Sequence, residues 1–219
     1  DPGILYYMPQ TWTSDDTDAM ERLAIQYGTS MVYPTVSMGC HVSAVPNHQV
    51  HRNTPFATRG ICAMCGNFGY ELDLTKLTET EKQQAKSQVA FYKEVRELIQ
   101  FGDFYRLQSP FGSNECAWSF VAKDKSEAIV SFFRKMAEPN CAFATVYATG
   151  LDKDAKYKDM RTGEVYGGDE LMQVGINVPY AITSSPKPME GEGNMYAGMI
   201  ADAIQGDYGA FIWHFKKVD

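Results

Sequence analysis

Blocks of apolar residues alternate with polar stretches through the first hundred residues. Short apolar blocks bounded by glycine, proline or polar residues are typical of buried strands. An apolar run at 31–36 and a long polar stretch at 39–58 precede the last of these blocks. We expect strands at residues 4–8, 11–14 and 60–66.

Two helices are expected among these strands. Asp18 and Glu21 have the spacing of a capping box, in which each side chain satisfies a backbone N–H of the first turn, and Gly28 suits the end of that helix. Thr78 and Glu81 repeat the spacing, and apolar residues then recur at helical intervals. Strand, helix, strand and helix in this order predict a parallel α/β domain.

From residue 103 the pattern changes to short apolar runs separated by glycine and proline. Residues 117–122 and 128–133 predict a hairpin, because a polar turn joins them. Further strands are expected at 142–147 and 210–215, and a short helix at 197–205. This texture predicts an antiparallel β-sandwich. We therefore expect a boundary between residues 1–102 and residues 103–219.

Composition excludes several classes of protein. The chain has 219 residues and a formal net charge of -7, with no dense run of lysine and arginine, so we expect no nucleic-acid partner. No apolar run approaches the roughly 20 residues of a membrane helix, so we expect no membrane partner. Five cysteines, an odd number, argue against a disulfide-stapled secreted scaffold and favour reduced thiols in the cytoplasm.

Two groups of residues resemble metal-binding patterns, but we expect no metal at either. Cys62 and Cys65 have zinc spacing but supply only two ligands, so we interpret them as small buried apolar residues. His41, His48 and His51 have spacings of seven and three that match no common ligand pattern, which favours loop hydrogen bonds. Nothing in the sequence implies a cofactor.

The segment from Ser14 to Asp18 is the densest chemical feature. Its three carboxylates lie where a strand is expected to meet a helix, the junction at which βα proteins build active sites. Asp18 also suits a helix cap, and Arg22 lies four residues beyond it, the spacing of an ordinary ion pair. Catalysis, a calcium loop and a solvated surface all stay open at this point. Trp12 suits either a sugar-stacking residue or a core residue.

A second acidic group, Gly168-Asp169-Glu170, has the residues of an acid pair. Because it lies in the strand-rich part of the chain, we interpret it as a turn.

The stretch from Tyr6 to Arg22 closely resembles α-galactosidases of glycoside hydrolase family 36, whose acid/base motif reads SDxxDxxxR. Ser14, Asp15, Asp18 and Arg22 fill every fixed position. The resemblance continues in order through most of the chain, at residues 26–29, 41–49, 66–73, 98–100, 102–103 and 167–172.

The resemblance implies a fold and a reaction. Residues 1–102 would form the last βα units of a (β/α)8 TIM barrel, and residues 103–219 an antiparallel β-sandwich. The family cleaves terminal α-linked galactose with retention, from sugars such as melibiose and raffinose, and needs no cofactor. The first Asp of the motif is the general acid/base, which corresponds to Asp15. Asp18 and Arg22 would support it, Trp12 would position the sugar, and a homo-oligomer is expected.

Two family features are missing from this sequence. The nucleophile belongs to a Lys-Trp-Asp motif, and none of the three tryptophans has lysine before it and aspartate after it. The glycine-rich sugar-binding loop is also missing. We therefore expect a C-terminal portion of a longer enzyme, whose N-terminal β domain and first barrel units are partners of this chain. Residues 1–102 alone would expose strand edges and should not stay folded.

Two alternatives stay open beside this interpretation. Within the same class, an α-N-acetylgalactosaminidase or a galactosyl transferase would differ around the sugar-binding residues. In a different class, the chain would be a non-catalytic β-sandwich module that binds carbohydrate or serves a structural role.

Overall fold

A computed structural model describes residues 2–179, 204 and 206–219, and these fall into two compact units. The first unit comprises residues 2–100, and the second comprises the described residues from 101 onward. None of the helices in these described ranges has the length and apolar character needed to cross a bilayer.

The first unit is built on parallel strands. Strand β1 (Gly39–Ser43) pairs in parallel with β2 (Asn67–Glu71), from Gly39 opposite Asn67 to Ser43 opposite Glu71. Just before β1, Met38 forms a single parallel bridge with Thr11. Three chain segments therefore run side by side in the same direction, with helices between them in sequence.

The helices of this unit are α1 (Ala19–Thr29), α2 (Phe56–Ala63) and α3 (Glu79–Phe101). Asp18 caps α1, as the sequence predicts, by accepting hydrogen bonds from the backbone N–H groups of Met20 and Glu21, each at 3.1 Å. The second hydrogen bond of the expected capping box, from the Asp18 N–H to the Glu21 carboxylate, is wrong, since this N–H donates to Asp16 Oδ1 at 2.9 Å instead. The helix also continues one residue beyond Gly28.

The capping box predicted at the start of α3 is confirmed, because both of its hydrogen bonds are formed. The Thr78 N–H donates to Glu81 Oε2 at 3.0 Å, and the Glu81 N–H donates to Thr78 Oγ1 at 3.2 Å. Tyr92 then stacks on Phe68 of β2, with ring centroids 5.1 Å apart, so α3 packs directly on the strand that precedes it.

Three strand predictions in this unit are wrong. Residues 4–8 overlap a 3-10 helix, Pro2–Tyr6, and residues 11–14 contribute only the bridge at Thr11. Residues 60–66 lie largely in α2, where nearly every side chain is buried. Because a helix buried on all sides has no polar stripe, its apolar run cannot be told from a buried strand by periodicity. Conversely, the polar stretch at 39–58, where no strand was expected, begins with strand β1.

The second unit is antiparallel. Its strands are β3 (Asp103–Gln108), β4 (Glu115–Val121), β5 (Glu127–Arg134), β6 (Thr145–Val146), β7 (Lys156–Asp159), β8 (Val165–Gly167), β9 (Ile176–Asn177) and β10 (Gly209–Val218). A six-stranded sheet has the order β3-β4-β5-β10-β7-β8, and β6 pairs with β9. One face of the large sheet packs against β6, β9 and the helix between β8 and β9. This arrangement agrees with the predicted β-sandwich.

The predicted β4–β5 hairpin and the last strand are confirmed, whereas the strand expected at 142–147 shortens to the two residues of β6. Gly168-Asp169-Glu170 begins a helix, α4 (Gly168–Gln173), and the interpretation as a turn is wrong. Six residues are too few to show a helical period. The helix expected at 197–205 lies outside the described residues apart from Ile204.

Candidate active site

Asp15 lies just beyond the first of the three parallel segments. The Gly39 N–H donates to the Thr11 carbonyl at 3.0 Å, and the Asn67 N–H donates to the Met38 carbonyl at 2.8 Å, which aligns the segments. Asp15 follows Thr11 by four residues along the strand direction. It therefore lies at the carboxyl end of the strands, the edge that carries the active site in βα barrels.

The residues around Asp15 hold the backbone and leave its carboxylate exposed. Ser14 Oγ accepts the Asp16 N–H at 3.1 Å, and Asp16 Oδ1 accepts the Asp18 N–H at 2.9 Å. Asp15 itself lies on an exposed bend. Of the three carboxylates, two are thus engaged in local structure, and the one that the family motif designates faces solvent.

Arg22 supports this segment through contacts that the sequence does not predict. Its guanidinium is buried and donates to Thr13 Oγ1 at 2.7 Å and to the carbonyls of Ser14 and Gly39, each at 3.3 Å. The expected i,i+4 pair with Asp18 is not formed, because the Asp18 carboxylate points at the N–H groups of the first helical turn. Arg22 therefore ties the residues before Asp15 to the start of β1.

The ion-pair partner of Asp18 is Arg52, in the loop between β1 and α2. The Asp18 carboxylate is 2% exposed, and Arg52 also lies 3.7 Å from Glu21. In the same loop, the buried side chain of Asn47 donates to Thr17 Oγ1 at 3.0 Å. Neither residue is predicted from the sequence, since no spacing rule connects them to the acidic segment. Of the two, only Asn47 lies in a stretch, residues 41–49, whose resemblance to the family could have pointed to the site.

Trp12 is 48% exposed in this chain. Its indole stacks on the imidazole of His41, with ring centroids 4.5 Å apart and planes 30° apart. Burial lowers the pKa of His41 below its usual value, an effect that nearby Arg22 reinforces and Glu71 opposes. Across the described part of the chain, His41, His48 and His51 do not gather as a set of three metal ligands.

Cys62 and Cys65 are both buried and form no disulfide. The Cys62 thiol donates to the Ala19 carbonyl at 3.4 Å, so it links α2 to the first turn of α1.

Parallel βα units with an exposed carboxylate at their carboxyl edge, followed by an antiparallel β domain, agree with the end of a (β/α)8 barrel and the β-sandwich that follows it. The family model described as melibiase matches residues 1–102, and that of the glycosyl hydrolase family 36 C-terminal domain matches residues 115–215. The chain belongs to glycoside hydrolase family 36, as a C-terminal portion of the α-galactosidase architecture.

Relatives of known sequence and structure are similar over most or all of the chain. The α-galactosidase AgaA of Geobacillus stearothermophilus is 64% identical over 180 residues, which are 82% of this chain and 25% of AgaA. The α-galactosidase Mel36A of Lactobacillus acidophilus is 45% identical over 219 residues, or 100% of this chain and 27% of Mel36A. A crystal structure of an AgaA variant with raffinose has a TM-score of 0.86 at 55% identity and covers 100% of this chain and 27% of that one. This chain therefore spans about a quarter of the length of the curated relatives it matches.

Proposed function

We propose that the protein containing this chain is a retaining α-galactosidase and that Asp15 is its general acid/base. The observation that carries the proposal is the exposed Asp15 carboxylate at the carboxyl end of the parallel segments, in a chain of this family. Similar proteins are named α-galactosidases, and variants of one of them were crystallised with raffinose and with stachyose. These names support a substrate that ends in α-linked galactose.

A retaining glycosidase needs two carboxyl groups about 5–5.5 Å apart. The nucleophile, which we place in the part of the enzyme outside this chain, attacks the anomeric carbon and forms a covalent galactosyl-enzyme. As the glycosidic bond breaks, Asp15 gives its proton to the leaving oxygen. Asp15 then takes a proton from the water that attacks the anomeric carbon, and galactose leaves with its original configuration.

These two proton transfers require a carboxyl group that is held in place yet open to substrate and water. The hydrogen bonds of Ser14, Asp16 and Asp18 hold the backbone on both sides of Asp15. Arg22 anchors the preceding residues to β1, and Arg52 anchors the following helix. In the proposed enzyme, Asp18 and Arg22 are thus supports of the site, and of these three residues only Asp15 takes part in the proton transfers.

The test compares leaving groups in the full-length enzyme. For Asp15→Asn, we expect kcat/KM on raffinose to fall by about 10²–10⁴-fold, because its sugar leaving group needs a proton. On an aryl α-galactoside with a strongly acidic phenol, kcat/KM should change little, since that phenolate leaves unprotonated. Asp154→Asn is the matched control, because this carboxylate is exposed in the second unit. An equal loss on both substrates would refute the acid role.

We also propose that this chain acts with the remainder of the same enzyme, including its N-terminal β domain and first barrel units. The share of the relatives that it spans supports this. The isolated 219-residue chain should not hydrolyse an aryl α-galactoside, whereas its mixture with the remaining portion should. Activity of the chain alone would place both carboxylates within it.

Two further proposals concern the complete enzyme. The proposal that the enzyme is a homo-oligomer rests on the family resemblance. Light scattering tests it by measuring the mass of the full-length enzyme in solution. A cytoplasmic location is supported by five cysteines without disulfides, and cell fractionation tests it.

A further inference from the structure

The imidazole of His41 lies in a slot between two glycines. Gly39 precedes it by two residues on the same face of β1, and Gly69 is its register partner in β2. A Cβ at Gly69 would lie 2.9 Å from His41 Cδ2, and one at Gly39 would lie 3.2 Å from His41 Cε1. A side chain at either position would crowd the ring, so the glycines keep room for it.

The face of the sheet that carries His41 is the one turned away from the helices. The alternate residues Cys40 and Val42 are completely buried, and Phe68 and Tyr70 of β2 contact α3. In a βα barrel, the face opposite the helices is the interior, which leads to the active site at the carboxyl ends of the strands. Trp12 meets His41 there.

The ring of His41 is held by stacking on Trp12 and by the shape of the slot between Gly39 and Gly69. Its Nδ1 is buried and has no hydrogen-bond partner among the residues the structure describes. Burial lowers the His41 pKa, and the ring stacks on the indole of Trp12 with centroids 4.5 Å apart. Trp12 nevertheless keeps about half of its surface exposed. The histidine thus supports an aromatic side chain that remains available to a ligand.

We propose that His41 is a positioning residue of the galactoside site, which orients the indole of Trp12 as a stacking surface for the sugar ring. This inference rests on the proposed function. Arg22 bonds the two residues between Trp12 and Asp15, through Thr13 Oγ1 and the Ser14 carbonyl. The indole and the acid/base carboxylate are consequently placed by one short, anchored segment.

The test is a double-mutant cycle in the full-length enzyme, read as the inhibition constant of galactose. His41→Ala and Trp12→Ala should each weaken galactose binding by about three- to tenfold, the range of an aromatic contact. The double variant should be no worse than the weaker-binding single variant, because His41 acts through Trp12. His41→Phe, which keeps a ring, should stay within about twofold of wild type. His48→Ala, an exposed histidine, is the matched control.

A role in folding alone is separated from positioning by two readouts. In the variants that stay folded, kcat on an activated aryl α-galactoside should change less than the galactose constant, since the indole takes no part in proton transfer. Gly69→Ala offers a second route, because its Cβ would push the imidazole aside without removing it. It should weaken galactose binding as His41→Ala does, even where His41→Ala fails to fold.

Multiplicative losses in the double variant would overturn the proposal, and so would a His41→Phe enzyme as poor as His41→Ala. Unchanged galactose binding in both Gly69→Ala and His41→Ala would also overturn it. If the wild-type enzyme hydrolyses α-galactosides, these outcomes overturn only the role of His41, and the proposed function stands. A wild-type enzyme without that activity would refute the proposed function itself.

Discussion

The carboxylate of Asp18 pairs with the guanidinium of Arg52, 34 residues further along the chain. The same carboxylate oxygen caps α1 through the N–H groups of Met20 and Glu21. One buried oxygen therefore joins the start of the helix that follows Asp15 to the loop that follows β1. The local cap and the long-range contact depend on each other.

Replacing Arg52 with alanine should destabilise the protein, because it leaves the charge of Asp18 buried without its cationic partner. We expect a loss of about 1–3 kcal/mol, less than for a fully buried pair because Arg52 is partly exposed. The measurement is the unfolding midpoint of the full-length enzyme. Lys76→Ala removes an exposed ion pair with Asp73 and should cost less than about 0.5 kcal/mol. Equal midpoints for the two variants would contradict this prediction.

Azide should restore turnover to the Asp15→Ala enzyme on an activated aryl α-galactoside. Without a general base, water attacks the galactosyl-enzyme slowly, whereas anionic azide needs no base. Azide should attack from the side that Asp15 serves, so the second inversion gives α-galactosyl azide. The rate with and without azide and the anomer seen by NMR check this prediction. A β-galactosyl azide product, or azide activation of wild type to the same degree, would contradict it.

Gly60→Ala should destabilise the packing of α2 on α3. An added Cβ would lie 2.3 Å from the Gln88 amide nitrogen, and that buried carboxamide is already held by Tyr70 and the Phe56 carbonyl. We expect a loss of about 1–3 kcal/mol from overpacking, although alanine is the better helix former. The unfolding midpoint of the full-length enzyme reports it.

Gln88→Ala is the companion variant for this test. It removes the clashing side chain but leaves the Tyr70 hydroxyl and the Phe56 carbonyl without that partner. Adding Gly60→Ala to it should therefore cost less than Gly60→Ala costs in wild type. Additive losses would show that the clash with Gln88 is not the cause.

Glu127 should make the second unit sensitive to acid. His214 Nε2 lies 2.6 Å from Glu127 Oε1, and this hydrogen bond, with the charges of His214 and Lys216, lowers the pKa of Glu127 below its usual value of 4.5. A carboxyl group with a lowered folded-state pKa stabilises the fold above its unfolded pKa, and the stabilisation disappears as the pH falls through the folded pKa.

The test of this linkage is Glu127→Gln, measured by unfolding midpoints across a pH series. Its cost should be largest near neutral pH and should vanish in acid below the ordinary range of glutamate. Ile129→Val, a buried neutral change in the same strand, should cost about 0.5–1.5 kcal/mol at every pH and serves as the control. A cost of Glu127→Gln that is constant with pH would contradict the prediction.

The elements that the sequence predicts well are those whose signals are local. The Thr78–Glu81 box needs residues only three apart, and the β4–β5 hairpin needs two apolar runs and the turn between them. The errors occur where burial by other elements removes the local signal. Residues 60–66 lie largely in helix α2, which is buried on nearly all sides, and strand β1 lies in a stretch without apolar alternation.

The sequence by itself determined the family, the order of the two kinds of domain and the motif that singles out Asp15, since these are read along the chain. Tertiary structure alone decided that Arg22 bonds to Thr13, Ser14 and Gly39, that Asp18 pairs with Arg52, and that His41 supports Trp12. These contacts join residues that are near in space only because parallel strands lie side by side and α2 packs on β1. No spacing along the chain encodes such neighbours.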